Sequence, residues 1–126
     1  MSMINPLARV RGLGSAKEGP HHWIAQRMTA VALVPLTLWF VISLISLIGG
    51  DIVGIKVWLA SPFNAVLMIL TLVAGFHHAQ LGLQVVMEDY IHSHGCKLVA
   101  IWLVKGAAFF FGAAAVFSVV KLAIGV

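Results

Sequence analysis

Two adjacent histidines, His77 and His78, lie inside an uncharged apolar run from Pro62 to Met87 that closes with Glu88-Asp89-Tyr90. A bilayer core disfavours polar side chains, so an ionisable residue at that depth faces protein, a cofactor or a water-filled site. A haem iron is one of the few partners that makes an intramembrane imidazole favourable. Helical geometry decides what accompanies each ring. Ala74, Gly75 and Gly82 stand four before, three before and four after His78, on its own face. All three are small, which leaves a groove where a flat macrocycle can approach the backbone. His77 is turned by about 100° and shares its face with Val73, Leu81 and Gln84. On that pattern His78 is the better axial ligand, and His77 makes a hydrogen bond or faces a neighbouring helix. The same small residues also form the usual surface for close helix packing in membranes, where His78 would only hydrogen bond.

Asp89 follows His78 by eleven residues, which returns it to nearly the same face about 16 Å along the axis. Tyr90 comes next, at the membrane boundary. A phenol can donate to a quinone carbonyl oxygen, and a carboxylate can orient a neighbour or relay a proton. The pair therefore suits a lipid-soluble substrate that takes up protons. On the residues alone, an interfacial anchor for Tyr90 and a solvated helix end for Glu88 and Asp89 account for them better. Nearer the start lie His21-His22-Trp23 and Arg27-Met28-Thr29-Ala30. Arg27 can face a headgroup phosphate or pair with a haem propionate, since guanidinium and carboxylate match as a fork. His21 can add a second donor to the same acid.

These residues need elements to hold them, and composition restricts the choice. The chain has 126 residues, is 61% hydrophobic and only 10% charged, with mean hydropathy +1.03. A soluble domain carries far more charge. A spanning helix takes roughly 20 apolar residues, so there is room for three and little else. We expect an all-α membrane protein in which three transmembrane helices pack with a partner subunit. Residues 1–126 form a single membrane-anchor domain, with a polar segment at 1–22 and spans near 23–48, 62–87 and 98–120. Gly12, Gly14, Gly19 and Pro20 argue against a long helix before His21. Gly49-Gly50-Asp51 stops the first span, residues 49–62 form a short connection, and Ser61-Pro62 opens the second. Residues 88–97 read as a polar loop holding His92 and His94. Lys105 and Lys121 read as snorkelling cations near the ends of the third span. Pro35 can kink the first.

The single cysteine, Cys96, excludes an internal disulfide and a cysteine-ligated cluster made by this chain alone. The net charge of +4 is assigned to topology and lipid headgroups, not nucleic acid. No cleavable signal pattern precedes the first span. Three spans without a repeat make a poor transporter. Arg9, Arg11, Lys17 and Arg27 precede or open the first span, and Lys97 lies in the second loop, against Lys56 and Lys121 on the other side. The positive-inside rule therefore puts the N-terminus and the 88–97 loop inside and the C-terminus outside.

Taken together, the three-span layout, His21 through Arg27-Met28-Thr29-Ala30, His78-Ala79 with Gly82, and Asp89-Tyr90 with the tyrosine twelve residues past the histidine resemble the hydrophobic membrane anchor (D) subunit of succinate dehydrogenase, respiratory complex II. The resemblance covers essentially the whole chain. It implies that His78 is one axial ligand of a b-type haem shared with a cytochrome b anchor subunit, which supplies the second. It implies that Tyr90 hydrogen bonds the ubiquinone headgroup with Asp89 in support, and that Arg27 and His21 lie near the haem propionates. His22 is an alternative to His21 in that role. It further implies a flavoprotein subunit, an iron–sulfur subunit, and a bacterial or mitochondrial inner membrane with the N-terminus on the cytoplasmic or matrix side. The anchor would be non-catalytic alone. The competing readings are the anchor of a quinol:fumarate reductase and a cofactor-free small membrane subunit.

Overall fold

The computed structural model describes Val10 and residues 18–125. Arg9, Arg11, Gly12, Gly14 and Lys17 of the expected polar segment lie outside the described residues. Residues 18–125 form four helices: α1 (Glu18–Leu47), α2 (Ile52–Ala60), α3 (Pro62–Tyr90) and α4 (His94–Ile124). The three long ones have 30, 29 and 31 residues. At about 1.5 Å per residue each exceeds 40 Å, so each crosses an apolar core of about 30 Å and extends into the headgroup layers.

Several boundaries differ from those expected. Helix α1 starts at Glu18, ahead of His21. Gly19 and Pro20 fall in its first turn, where the missing proline N–H has no intrahelical partner to lose. The helix also continues through Pro35. It ends at the expected place: Gly49 takes a φ of +82°, and the Gly50 N–H donates to the Leu47 carbonyl at 3.1 Å. The connection at 49–62 is mostly helical. Asp51 caps α2, its Oδ1 accepting from the Gly54 N–H at 2.8 Å. Pro62 opens α3 as expected, while Ser61 makes no side-chain capping bond. The polar loop at 88–97 shrinks to residues 91–93, because α3 runs to Tyr90 and α4 begins at His94. His94 is therefore helical, and Lys105 lies eleven residues into α4, about 16 Å from its start.

Helix α3 is the middle of the bundle, packing α1 on one side and α4 on the other. The α3–α4 contact is close at Gly112, where an added Cβ would stand 3.4 Å from Phe76 Cγ. At the end away from the 91–93 loop, α2 packs on α3 and α4. There Trp39 stacks on Trp58 with centroids 5.7 Å apart, and the Asn64 side-chain amide donates to the Trp58 carbonyl at 2.9 Å. Among the described residues only Leu59, Leu81 and Ser43 are buried, while Phe109 is 80% exposed and Trp102 73% exposed. Three helices leave most apolar surface outward, which suits a lipid solvent and a partner subunit.

Candidate functional site

The site builds from α3. His78 is half-buried at the α1–α3 contact, and its Nδ1 lies 3.0 Å from Thr29 Oγ1 on α1. Thr29 Oγ1 is also 2.9 Å from the Ala25 carbonyl and 3.0 Å from the Gln26 carbonyl of its own helix. The carbonyls can only accept, and a hydroxyl has a single hydrogen to give. Helical threonines habitually return that hydrogen to the preceding turn. Gly75 and Gly82, which flank His78, are half-buried. A Cβ built on either would have no neighbour within 4 Å. The groove expected beside His78 is thus open within this chain.

His77 occupies a different face. It is exposed and lines a cavity of about 550 Å³ between α3 and α4, together with Phe76, Gln80, Lys105, Phe109 and Gly112. From that groove a line of side chains descends α3 toward the 91–93 loop. The Gln80 amide donates to Gln84 Oε1 at 3.3 Å, and the Gln84 amide to Glu88 Oε1 at 2.8 Å. Lys97 Nζ closes the end by donating to the Glu88 carbonyl oxygen at 3.0 Å. This is i, i+4 hydrogen bonding along one helix face. The two histidines therefore address different neighbours, as their 100° separation required.

At the loop end of the bundle Asp89 and Tyr90 are exposed, Tyr90 to 79%. Tyr90 is the last residue of α3, so nothing of that helix continues past its ring. At the start of α1, Arg27 holds its guanidinium over the Trp23 ring, 4.5 Å from the centroid. His21 is exposed, whereas His22 is half-buried and its Nε2 is buried without a hydrogen-bond partner. Because α1 is helical here, His21 and Arg27 are separated by about 9 Å along the axis and about 120° around it. His22 precedes Thr29 by seven residues, close to two turns, and so shares the face that meets α3. Among the described residues there is no group of three or more His, Cys, Asp or Glu able to enclose a metal ion.

Residues 1–120 match the family described as succinate dehydrogenase/fumarate reductase transmembrane subunit. The chain belongs to that family. Curated relatives include the succinate dehydrogenase hydrophobic membrane anchor subunit of Rickettsia conorii, 37% identical over 100 residues that cover 79% of each chain. The subunit of the same name from Paracoccus denitrificans is 33% identical over 127 residues, covering 99% of this chain and 96% of its own. The succinate dehydrogenase membrane anchor subunit of Reclinomonas americana is 29% identical over 92 residues, 71% of this chain and 77% of its own.

For a member of this family the structure sorts the candidate residues by place. His78 is brought against α1 through Thr29, forty-nine residues away in sequence. Asp89 and Tyr90 stand together at the end of α3, at the same end of the bundle as His21, His22 and Arg27. His92 and His94 are exposed there too, outside these groupings. Sequence reasoning missed the contact of Thr29 with His78 and the placing of Lys105 on the same cavity as His77. The Arg27-Met28-Thr29-Ala30 motif contained the first. Nothing local marks the second, because it depends on how α4 is rotated against α3.

Proposed function

We propose that this chain is the membrane anchor subunit of a succinate:ubiquinone oxidoreductase. With a cytochrome b anchor subunit it holds the flavoprotein and iron–sulfur subunits at the membrane. His78 is an axial ligand of a b-type haem shared with that partner, and Tyr90 with Asp89 forms part of the ubiquinone reduction site. The observation that carries the reading is the state of His78. It is an intramembrane imidazole held at Nδ1 by Thr29, with open backbone at Gly75 and Gly82 on either side. One histidine from this chain leaves the second axial position to another subunit. These relatives are named for succinate dehydrogenase, which favours the succinate-oxidising reading over the fumarate reductase one.

In this arrangement the haem supplies one-electron redox capacity, and the chain's residues supply position and charge. The Tyr90 hydroxyl donates a hydrogen bond to a quinone carbonyl oxygen at the membrane boundary, where the substrate's ring meets water. Asp89, its exposed neighbour, orients that group and exchanges protons with the aqueous side. Arg27 and His21 provide donors for the acidic propionates, and His22, with its unpartnered Nε2, is the competing donor. The N-terminus lies on the cytoplasmic or matrix side of a bacterial or mitochondrial inner membrane, with the C-terminus opposite.

The test is a succinate-reduced minus oxidised visible spectrum of the complex captured by a tag on this chain in mild detergent. A b-type band appearing on succinate addition, lost in His78→Ala and kept in His77→Ala, is the expected result. Flavoprotein in the capture without any haem band would retain the anchor role and remove the assignment of His78. Neither flavoprotein nor band would leave a cofactor-free membrane subunit.

A further inference from the structure

We propose that Thr29 is a positioning residue for the haem ligand. It fixes the tautomer and plane of the His78 imidazole through a two-step hydrogen-bond chain, Nδ1–H of His78 to Oγ1 of Thr29, and the Thr29 hydroxyl to the carbonyls of Ala25 and Gln26. The inference rests on the reading of His78 as an axial ligand.

Three distances meet at one oxygen: 2.9 Å to the Ala25 carbonyl, 3.0 Å to the Gln26 carbonyl and 3.0 Å to His78 Nδ1. The hydroxyl hydrogen serves the carbonyls, shared between them, because neither carbonyl has a hydrogen to offer in return. The contact with the imidazole then needs a hydrogen from Nδ1. A neutral imidazole carries one N–H, so Nε2 keeps its lone pair, which is the form that binds a metal. Metal-binding histidines usually donate their other N–H to a carbonyl, a carboxylate or water, and that partner sets ring orientation and raises ligand basicity. Here the acceptor is a hydroxyl whose own hydrogen is committed to backbone, so it acts as a relay to two helix carbonyls. The device also joins α1 to α3 at the depth of the ligand. The ring is therefore held by a second helix as well as by its own.

Valine copies the shape of threonine without its hydroxyl, whereas serine keeps the hydroxyl and drops a methyl. A packing role predicts that Thr29→Val behaves as the parent and Thr29→Ser does not. The hydrogen-bond role predicts the reverse. The experiment measures the haem midpoint potential by redox titration, and the g-values of the oxidised low-spin haem by electron paramagnetic resonance, in the intact complex. We expect Thr29→Val to raise the midpoint, since a less basic imidazole stabilises ferric iron less well, and to move the g-values as the ring turns. Thr29→Ser should leave both close to the parent. Thr29→Ala, which removes the hydroxyl without adding bulk, should reproduce the valine result and serves if the valine variant fails to assemble. Parent-like g-values and midpoint in either hydroxyl-free variant would overturn the proposal. A parent complex without haem, or an unchanged haem signal in His78→Ala, would instead overturn the reading on which it rests.

Discussion

Replacing Gly82 by leucine separates the two uses of a small-residue face, because the chain itself leaves space where the new side chain begins. A Cβ at Gly82 would find no neighbour within 4 Å. Leucine is the better helix former by about 0.7 kcal/mol. Within this subunit the first carbon of the new side chain therefore meets nothing, and the helix itself is slightly favoured. If the space beside His78 receives a macrocycle, the leucine side chain is driven into an occupied site. Overpacking of that kind costs about 1–3 kcal/mol, which is roughly a 5- to 150-fold loss of haem affinity. The assay is haem per captured flavoprotein in the detergent-solubilised complex, read by pyridine haemochrome and flavin fluorescence. We expect the ratio to fall by at least several-fold while the α-helical content of the subunit is unchanged. A Gly82→Leu complex with parent haem content would refute the argument that the open backbone at Gly82 is the haem's approach. Loss of flavoprotein and haem together would show that the face is a helix-packing surface for the partner anchor. Gly112→Leu is the internal comparison, since its side chain meets Phe76 at the α3–α4 contact. It should lower the thermal stability of the complex, by about 1–3 kcal/mol for the overpacked contact, with haem retained at permissive temperature.

Tyr90→Phe keeps the ring and removes only the donor, so succinate-driven quinone reduction should drop about 10-fold or more, on the scale of one hydrogen bond to a developing charge. Reduction of an artificial acceptor by the soluble subunits should persist, and equal loss of both would mean failed assembly. Arg27→Leu should move the haem midpoint, because a cation beside a propionate is removed, and no movement would return Arg27 to Trp23 and the lipid headgroups. Comparing His21→Ala with His22→Ala under the same titration assigns the second donor: His21 is favoured by the motif, His22 by its unpartnered Nε2. A midpoint shift in one variant alone names it.

What the sequence determined by itself is local and periodic. Apolar runs of span length require helices in a membrane, since unpaired backbone there costs several kcal/mol per group. The 3.6-residue repeat then puts Gly75 and Gly82 beside His78, turns His77 away, and carries Asp89 and Tyr90 to the span's end. The boundaries were less legible. Glycine and proline before His21 read as breakers, yet a first helical turn tolerates both. The polar residues around the 91–93 loop read as coil, yet polar side chains are welcome on helix ends that project beyond the bilayer core. Only the tertiary structure decided which helix each face meets. Thr29 reaches His78 because α1 lies against α3 in one rotation and one vertical offset. His77 and Lys105 line one cavity because α4 lies against the other side of α3. A membrane helix that is apolar all round gives little moment to orient it. Its rotation is decided by close contacts such as Gly112 on Phe76 and by single hydrogen bonds between helices, and neither leaves a periodic trace in one chain's sequence.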